Sequence, residues 1–123
     1  MERRPLRWVG SSKDDVSAFP QGVKARIGGA LWDAQMGRKA PFAKPLRGFG
    51  GAGVLEVVDD FDGDTYRAVY TVIFAEAVYV LHAFQKKSRK GVATPRSEIE
   101  LIKQRLERAR QDYQQWQGRQ KPQ

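Results

Sequence analysis

Between residues 54 and 74 the chain reads VLEVVDDFDGDTYRAVYTVIF, two runs of β-branched and aromatic residues separated by a turn rich in aspartate. An Asp-Gly step between such runs is a strong hairpin signal, because a two-residue type I′ turn needs positive φ at both central positions. A second turn at Ala75, Glu76 and Ala77 leads into VYVLHAF, residues 78–84. Three consecutive antiparallel strands are therefore expected, and their apolar faces must be covered by whatever lies on either side in the chain. The aspartates of the hairpin do not have calcium-loop spacing, since the glycine comes too early and no distal bidentate Glu follows. They read as a solvated turn.

The flanking segments supply the cover. PLRWVG reads as a short first strand carrying Leu6, Trp8 and Val9. In SSKDD, Ser12 is a candidate cap with Asp15 three residues on, and Pro20 interrupts that helix and starts the next. From Pro20 to Met36, Val23, Ile27, Ala30, Leu31 and Ala34 recur at helical spacing, with Gly37 as the stop. Gly28 and Gly29 weaken this helix by about 1 kcal/mol each, and close packing is the expected reason for them. Ile99, Ile102, Leu106, Ala109, Tyr113 and Trp116 form a stripe on a long C-terminal helix. Its start is either a capping box of Ser97 and Glu100 or Thr94 with Pro95. The expected fold is α+β: a small, mainly antiparallel sheet against two N-terminal helices and one C-terminal helix. One domain is expected over residues 1–117, with residues 118–123 a disordered tail.

Composition excludes more than it selects. With no cysteine and one histidine in 123 residues, there is no thiolate chemistry and no basis for a Cys/His metal site, so neither metal nor cofactor is expected. No apolar run approaches a bilayer span, and the N-terminus lacks a signal-peptide hydrophobic region, so a cytoplasmic protein without membrane association is expected. The net charge of +8 is unevenly spread. Residues 1–54 hold ten basic and four acidic side chains, residues 55–84 one and six, and residues 85–123 eleven and four. Such a chain is steered towards polyanions. The last strand runs straight into Lys86, Lys87, Arg89 and Lys90. The loop RKAPFAKPLRGFGGAG is cationic too, but no Gly-Lys-Ser/Thr follows its glycines, so it is not a P-loop.

The segments FAKPLRGFGGAGVLEV, DGDTYRAVY, YVLHAFQKKS, TP and EIELIKQRL stand in one order over residues 5–113. In that order they resemble the phage-derived, HigB-like branch of the RelE/ParE toxin superfamily. The resemblance implies a toxin of a toxin–antitoxin pair, an endoribonuclease that cleaves mRNA, on the ribosome or free. It also implies a cognate helix-turn-helix antitoxin. It places Arg67, the Arg of YRxVY, on the scissile phosphate, with Lys86 and Lys87 in the same concave site. It also makes Lys44 or Arg47 the contribution of the loop before the second strand. Where some members carry lysines, this chain has Glu56, which leaves the general base open. The superfamily includes gyrase poisons on the same scaffold, so two alternatives stand: a gyrase-binding toxin without nuclease activity, or an inactive domain that binds antitoxin or nucleic acid.

Metal-free RNA cleavage needs a base near the 2′-hydroxyl, cations on the phosphate and an acid for the leaving oxygen. The planar fork of Arg67 suits a phosphate, though the same residue could pair with the hairpin aspartates. His82, on the face expected for Val78, Val80 and Phe84, is either a hydrogen-bonded core histidine or an acid–base group. Glu56 is a candidate base, or a partner of Arg67 or Lys86. Lys86 and Lys87 point to opposite faces of an ideal strand. Arg89 and Lys90 read as phosphate-tracking residues, and Lys103, Arg105, Arg108 and Arg110 as a solvated helix face.

Overall fold

The computed structural model describes residues 3–51, 53–86 and 94–120. The elements run β1 (Leu6–Trp8), α1 (Ser12–Ser17), α2 (Gln21–Gln35), β2 (Ala43–Pro45), β3 (Val54–Phe61), β4 (Asp64–Thr71), β5 (Val78–Lys86) and α3 (Arg96–Gln120). One sheet has the order β1-β5-β4-β3-β2. The expected meander forms its centre, and Asp62 and Gly63 take the positive φ values of 52° and 85° that the tight turn requires. Two features lay outside the sequence reading. β1 joins β5 in parallel, and β2 forms within the Gly/Pro-rich loop, pairing antiparallel with β3. Pro45 is tolerated there because β2 is an edge strand.

The sheet separates two apolar layers. On one face Val23, Ile27, Ala30, Leu31 and Ala34 of α2, with Val16 of α1, pack on Leu55, Val57, Tyr66, Ala68, Tyr70, Val78 and Val80. On the other face Ile102, Ala109 and Tyr113 of α3 pack on Val54, Val69, Tyr79 and Leu81. The α3 stripe is the one expected from its spacing. Its start is the earlier alternative: the amides of Glu98 and Ile99 both donate to the Pro95 carbonyl, at 3.0 Å each. The helix also continues to Gln120, beyond the boundary expected at residue 117.

Three local expectations are corrected. Ser11, not Ser12, stands at the N-cap of α1, and its hydroxyl donates to Asp15 Oδ2 at 2.7 Å; Ser12 is buried and donates to the Val80 carbonyl. Gly28 and Gly29 are not packing glycines, because a Cβ at either would meet open space. Nothing in the structure explains them. Third, the period-2 pattern breaks in β5: Val69 pairs with His82 but Tyr70 pairs with Val80, leaving Leu81 without a partner in β4. This bulge shifts the alternation. Val78 and Val80 face α2, whereas His82 faces α3.

The two kinds of glycine give opposite expectations. At Gly10, φ is +57° and a Cβ would lie 2.9 Å from Arg105 Cζ, so Gly10→Ala should lower unfolding free energy by about 1–3 kcal/mol. Gly28→Ala should raise it by roughly 0.5–1 kcal/mol, since helix propensity improves and nothing is displaced. Urea denaturation of both variants beside the parent checks the pair of signs.

Candidate active site

The α3 face of the sheet carries polar residues where the first turn of α3 approaches it. Antiparallel register puts Lys44 opposite Glu56, Glu56 opposite Val69, and Val69 opposite His82, one row across four strands. The next row towards the hairpin is Val58, Arg67 and Phe84, and beyond it Thr65 faces Lys86. Residues opposite one another share a face. Glu56 reaches this face because Leu55 and Val57, on either side, are taken by the α2 layer. Arg67 reaches it because Tyr66 and Ala68 are.

Arg67 is buried, with 6% of its side chain exposed. Its Nη1 donates to Glu56 Oε2 at 3.4 Å and to Thr94 Oγ1 at 3.0 Å, and Thr94 Oγ1 lies 3.4 Å from the same carboxylate oxygen. Three of the hairpin aspartates have other partners: Asp60 accepts from Thr65, Asp64 accepts from Gln85, and Asp59 lies 3.9 Å from Arg26. The pairing of Arg67 with Glu56 is the one the sequence left open.

His82 is also buried, and both ring nitrogens are engaged. Nε2 is 2.7 Å from Glu98 Oε2 and Nδ1 is 3.1 Å from Arg105 Nη1. A guanidinium only donates, so Nδ1 must accept, which leaves the ring proton on Nε2 and makes His82 the donor to Glu98. The imidazole lies against the ring of Phe84, centroids 5.1 Å apart. Arg105 is not on the solvated helix face. It donates from Nη1 to the carbonyl of Leu81 at 3.1 Å and from Nη2 to Ser11 Oγ at 3.3 Å. Burial pushes its pKa down from the usual arginine value, partly offset by Asp15. Lys103, Arg108 and Arg110 are exposed, as expected.

Of the residues nominated from sequence, Glu56, Arg67, His82, Lys44 and Lys86 therefore share one face. Arg47 is exposed beyond the end of β2. Lys87, Arg89 and Lys90 lie outside the described residues. Thr94, Glu98 and the buried role of Arg105 were missed. A signal existed for the last two: Arg105 falls three residues after Ile102 and four before Ala109, and Glu98 falls four before Ile102, so both lie on the buried stripe. Among the described residues no group of three or more His, Asp or Glu is placed to hold a metal. No described helix is long and apolar enough to cross a membrane.

Residues 14–107 match the family of phage derived proteins that are Gp49-like (DUF891). The chain belongs to this Gp49-like family. Its fold is that of RelE toxins: a free-state structure of an arginine-to-alanine double mutant of E. coli toxin RelE aligns over 87% of this chain and 98% of that one. The TM-score of that alignment is 0.53 at 16% identity. The toxin–antitoxin complex RelBE2 of Mycobacterium tuberculosis aligns over 72% of this chain and 97% of that one, with TM-score 0.44 and 23% identity. No curated protein matches significantly. The Gp49-like match agrees with the phage-derived branch anticipated from the segment order, and the RelE fold with the expected α+β architecture.

Burial of the Arg67–Glu56 pair gives a stability expectation. Truncating Arg67 would leave a carboxylate with 16% of its side chain exposed and its cation gone. Arg67→Ala should therefore cost roughly 2–3 kcal/mol, below the full penalty of a completely buried pair because Glu56 can take up some water. The double variant Arg67→Ala with Glu56→Gln should recover at least half of that loss. Chemical denaturation of the parent, both singles and the double variant measures the coupling.

Proposed function

We propose that this Gp49-like protein is the toxin of a HigB-like toxin–antitoxin pair and acts as a metal-independent mRNA endoribonuclease in the cytoplasm. The observation that carries the reading is the gathering, on one sheet face at the first turn of α3, of Arg67 with Glu56, of His82, and of Lys44 and Lys86 at the margins. A face with a fixed guanidinium, carboxylates and flanking lysines can bind a phosphodiester and move a proton. In the sequence, Lys86 leads on into Lys87, Arg89 and Lys90. The RelE-like fold supports the reading as a scaffold. The partners would be mRNA, on the ribosome or free, and a cognate helix-turn-helix antitoxin offering acidic side chains to the same basic face. A gyrase-binding toxin would have no need of a preorganised phosphate site.

Purified protein should cleave RNA, with or without ribosomes, and continue to do so in EDTA, leaving 2′,3′-cyclic or 3′-phosphate ends. Activity that vanishes with chelator and returns with magnesium overturns the mechanism. On expression without antitoxin, intact transcripts with accumulating DNA breaks would move the chain to the gyrase class. Arg67→Lys keeps the charge beside Glu56 but loses the fork. It should stay folded and lose roughly 10²–10³ in single-turnover cleavage rate, the loss expected for an oxyanion donor.

A further inference from the structure

We propose that Glu98 is the proton acceptor of this site and that His82 and Arg105 are the residues that position it. The inference rests on the nuclease reading above. It starts from the direction of the hydrogen bonds. Arg105 donates to His82 Nδ1, so His82 must donate through Nε2 to Glu98, which accepts as a carboxylate. His82 has no ring nitrogen left for a substrate. Glu56 Oε2 is taken up by the Arg67 guanidinium and the Thr94 hydroxyl. Lys44 and Lys86 carry no lone pair while charged. Glu98 is different. It is held at one oxygen by a neutral imidazole, with a quarter of its side chain exposed.

Its position suits the role. Glu98 stands in the first turn of α3, four positions after Thr94, the residue just before the helix that touches Arg67. Its partner His82 stacks on Phe84, which stands opposite Arg67 in the sheet. A phosphate drawn to Arg67 would thus lie on the same sheet face as Glu98. In the step, Glu98 takes the 2′-hydroxyl proton as the 2′-oxygen bonds to phosphorus, and the bond from phosphorus to the 5′-oxygen breaks. The leaving 5′-oxygen takes a proton from water, and the hydroxide so formed removes the proton from Glu98. Arg105 and His82 hold the carboxylate in place by a chain that starts at Ser11 and Asp15 of the α1 terminus.

The test is single-turnover cleavage of a short RNA by the full chain, beside thermal unfolding. Glu98→Gln, which can still accept from His82, should unfold with the parent yet lose about 10²–10³ in rate. Glu98→Ala should be equally slow and should gain at least about tenfold with added formate, a free carboxylate, but nothing with chloride at equal ionic strength. His82→Gln, which keeps a donor, should remain within about fivefold of the parent, while His82→Leu should not. A Glu98→Gln protein within about threefold of the parent, or a Glu98→Ala protein indifferent to formate, overturns the assignment while leaving the nuclease reading intact. If both Glu98 variants fail to fold, the residue is structural and the proposal falls. A parent that cleaves no RNA in either assay overturns the nuclease reading, and this inference with it.

Discussion

The buried guanidinium of Arg105 is the interaction on which this end of the molecule depends. It is held by three neutral acceptors, the Leu81 carbonyl and the His82 ring of β5 and the Ser11 hydroxyl at the α1 N-cap. Burying a charge is costly unless its hydrogen bonds are met; here Nη1 and Nη2 find acceptors, while the buried Nε finds none. The β5 bulge leaves Leu81 outside the strand pairing, and Arg105 takes up its carbonyl. Gly10 lacks the Cβ that would strike the guanidinium. Arginine also remains charged despite burial, so the orientation it imposes on His82 is fixed.

That fixed orientation organises the sheet face. Thr94, just before α3, meets Arg67 and Glu98, in its first turn, meets His82, so docking of the helix start sets two polar clusters together. Neither cluster is a strong stabiliser. A buried ion pair such as Arg67 with Glu56 roughly breaks even against apolar packing, whereas the two apolar layers carry the fold. What the polar clusters supply is a fixed arrangement of charged and hydrogen-bonding groups on one face of the sheet.

A second polar strut lies further along the same helix. Asp112 accepts from Arg7 Nε at 2.8 Å and from the Tyr79 hydroxyl at 2.6 Å, linking α3 to β1 and β5. Burial, and then the neighbouring Asp112, push the Tyr79 pKa up. The hydroxyl therefore stays a donor, and α3 is tied to the sheet at both ends of its apolar stripe. This double attachment fixes the height of the first turn over Arg67 and His82.

The sequence by itself determined the elements that depend on local rules. The Asp62-Gly63 hairpin, the α2 and α3 stripes and the Gly37 stop follow from turn chemistry and periodicity, which neighbours in space do not alter. It also carried enough of the segment order to indicate the family, and it nominated Arg67, Glu56 and His82. Only the tertiary structure decided what those residues touch. The one-residue bulge at Leu81 turns His82 away from Val78 and Val80 and onto α3, and no periodic reading anticipates an inserted residue. The burial of Arg105 depends on a glycine and a serine more than ninety positions away in the chain. The pairing of Glu56 with Arg67 is a matter of which face the register exposes. Local periodicity sets which side chains are apolar, but strand register and helix docking set which polar groups meet.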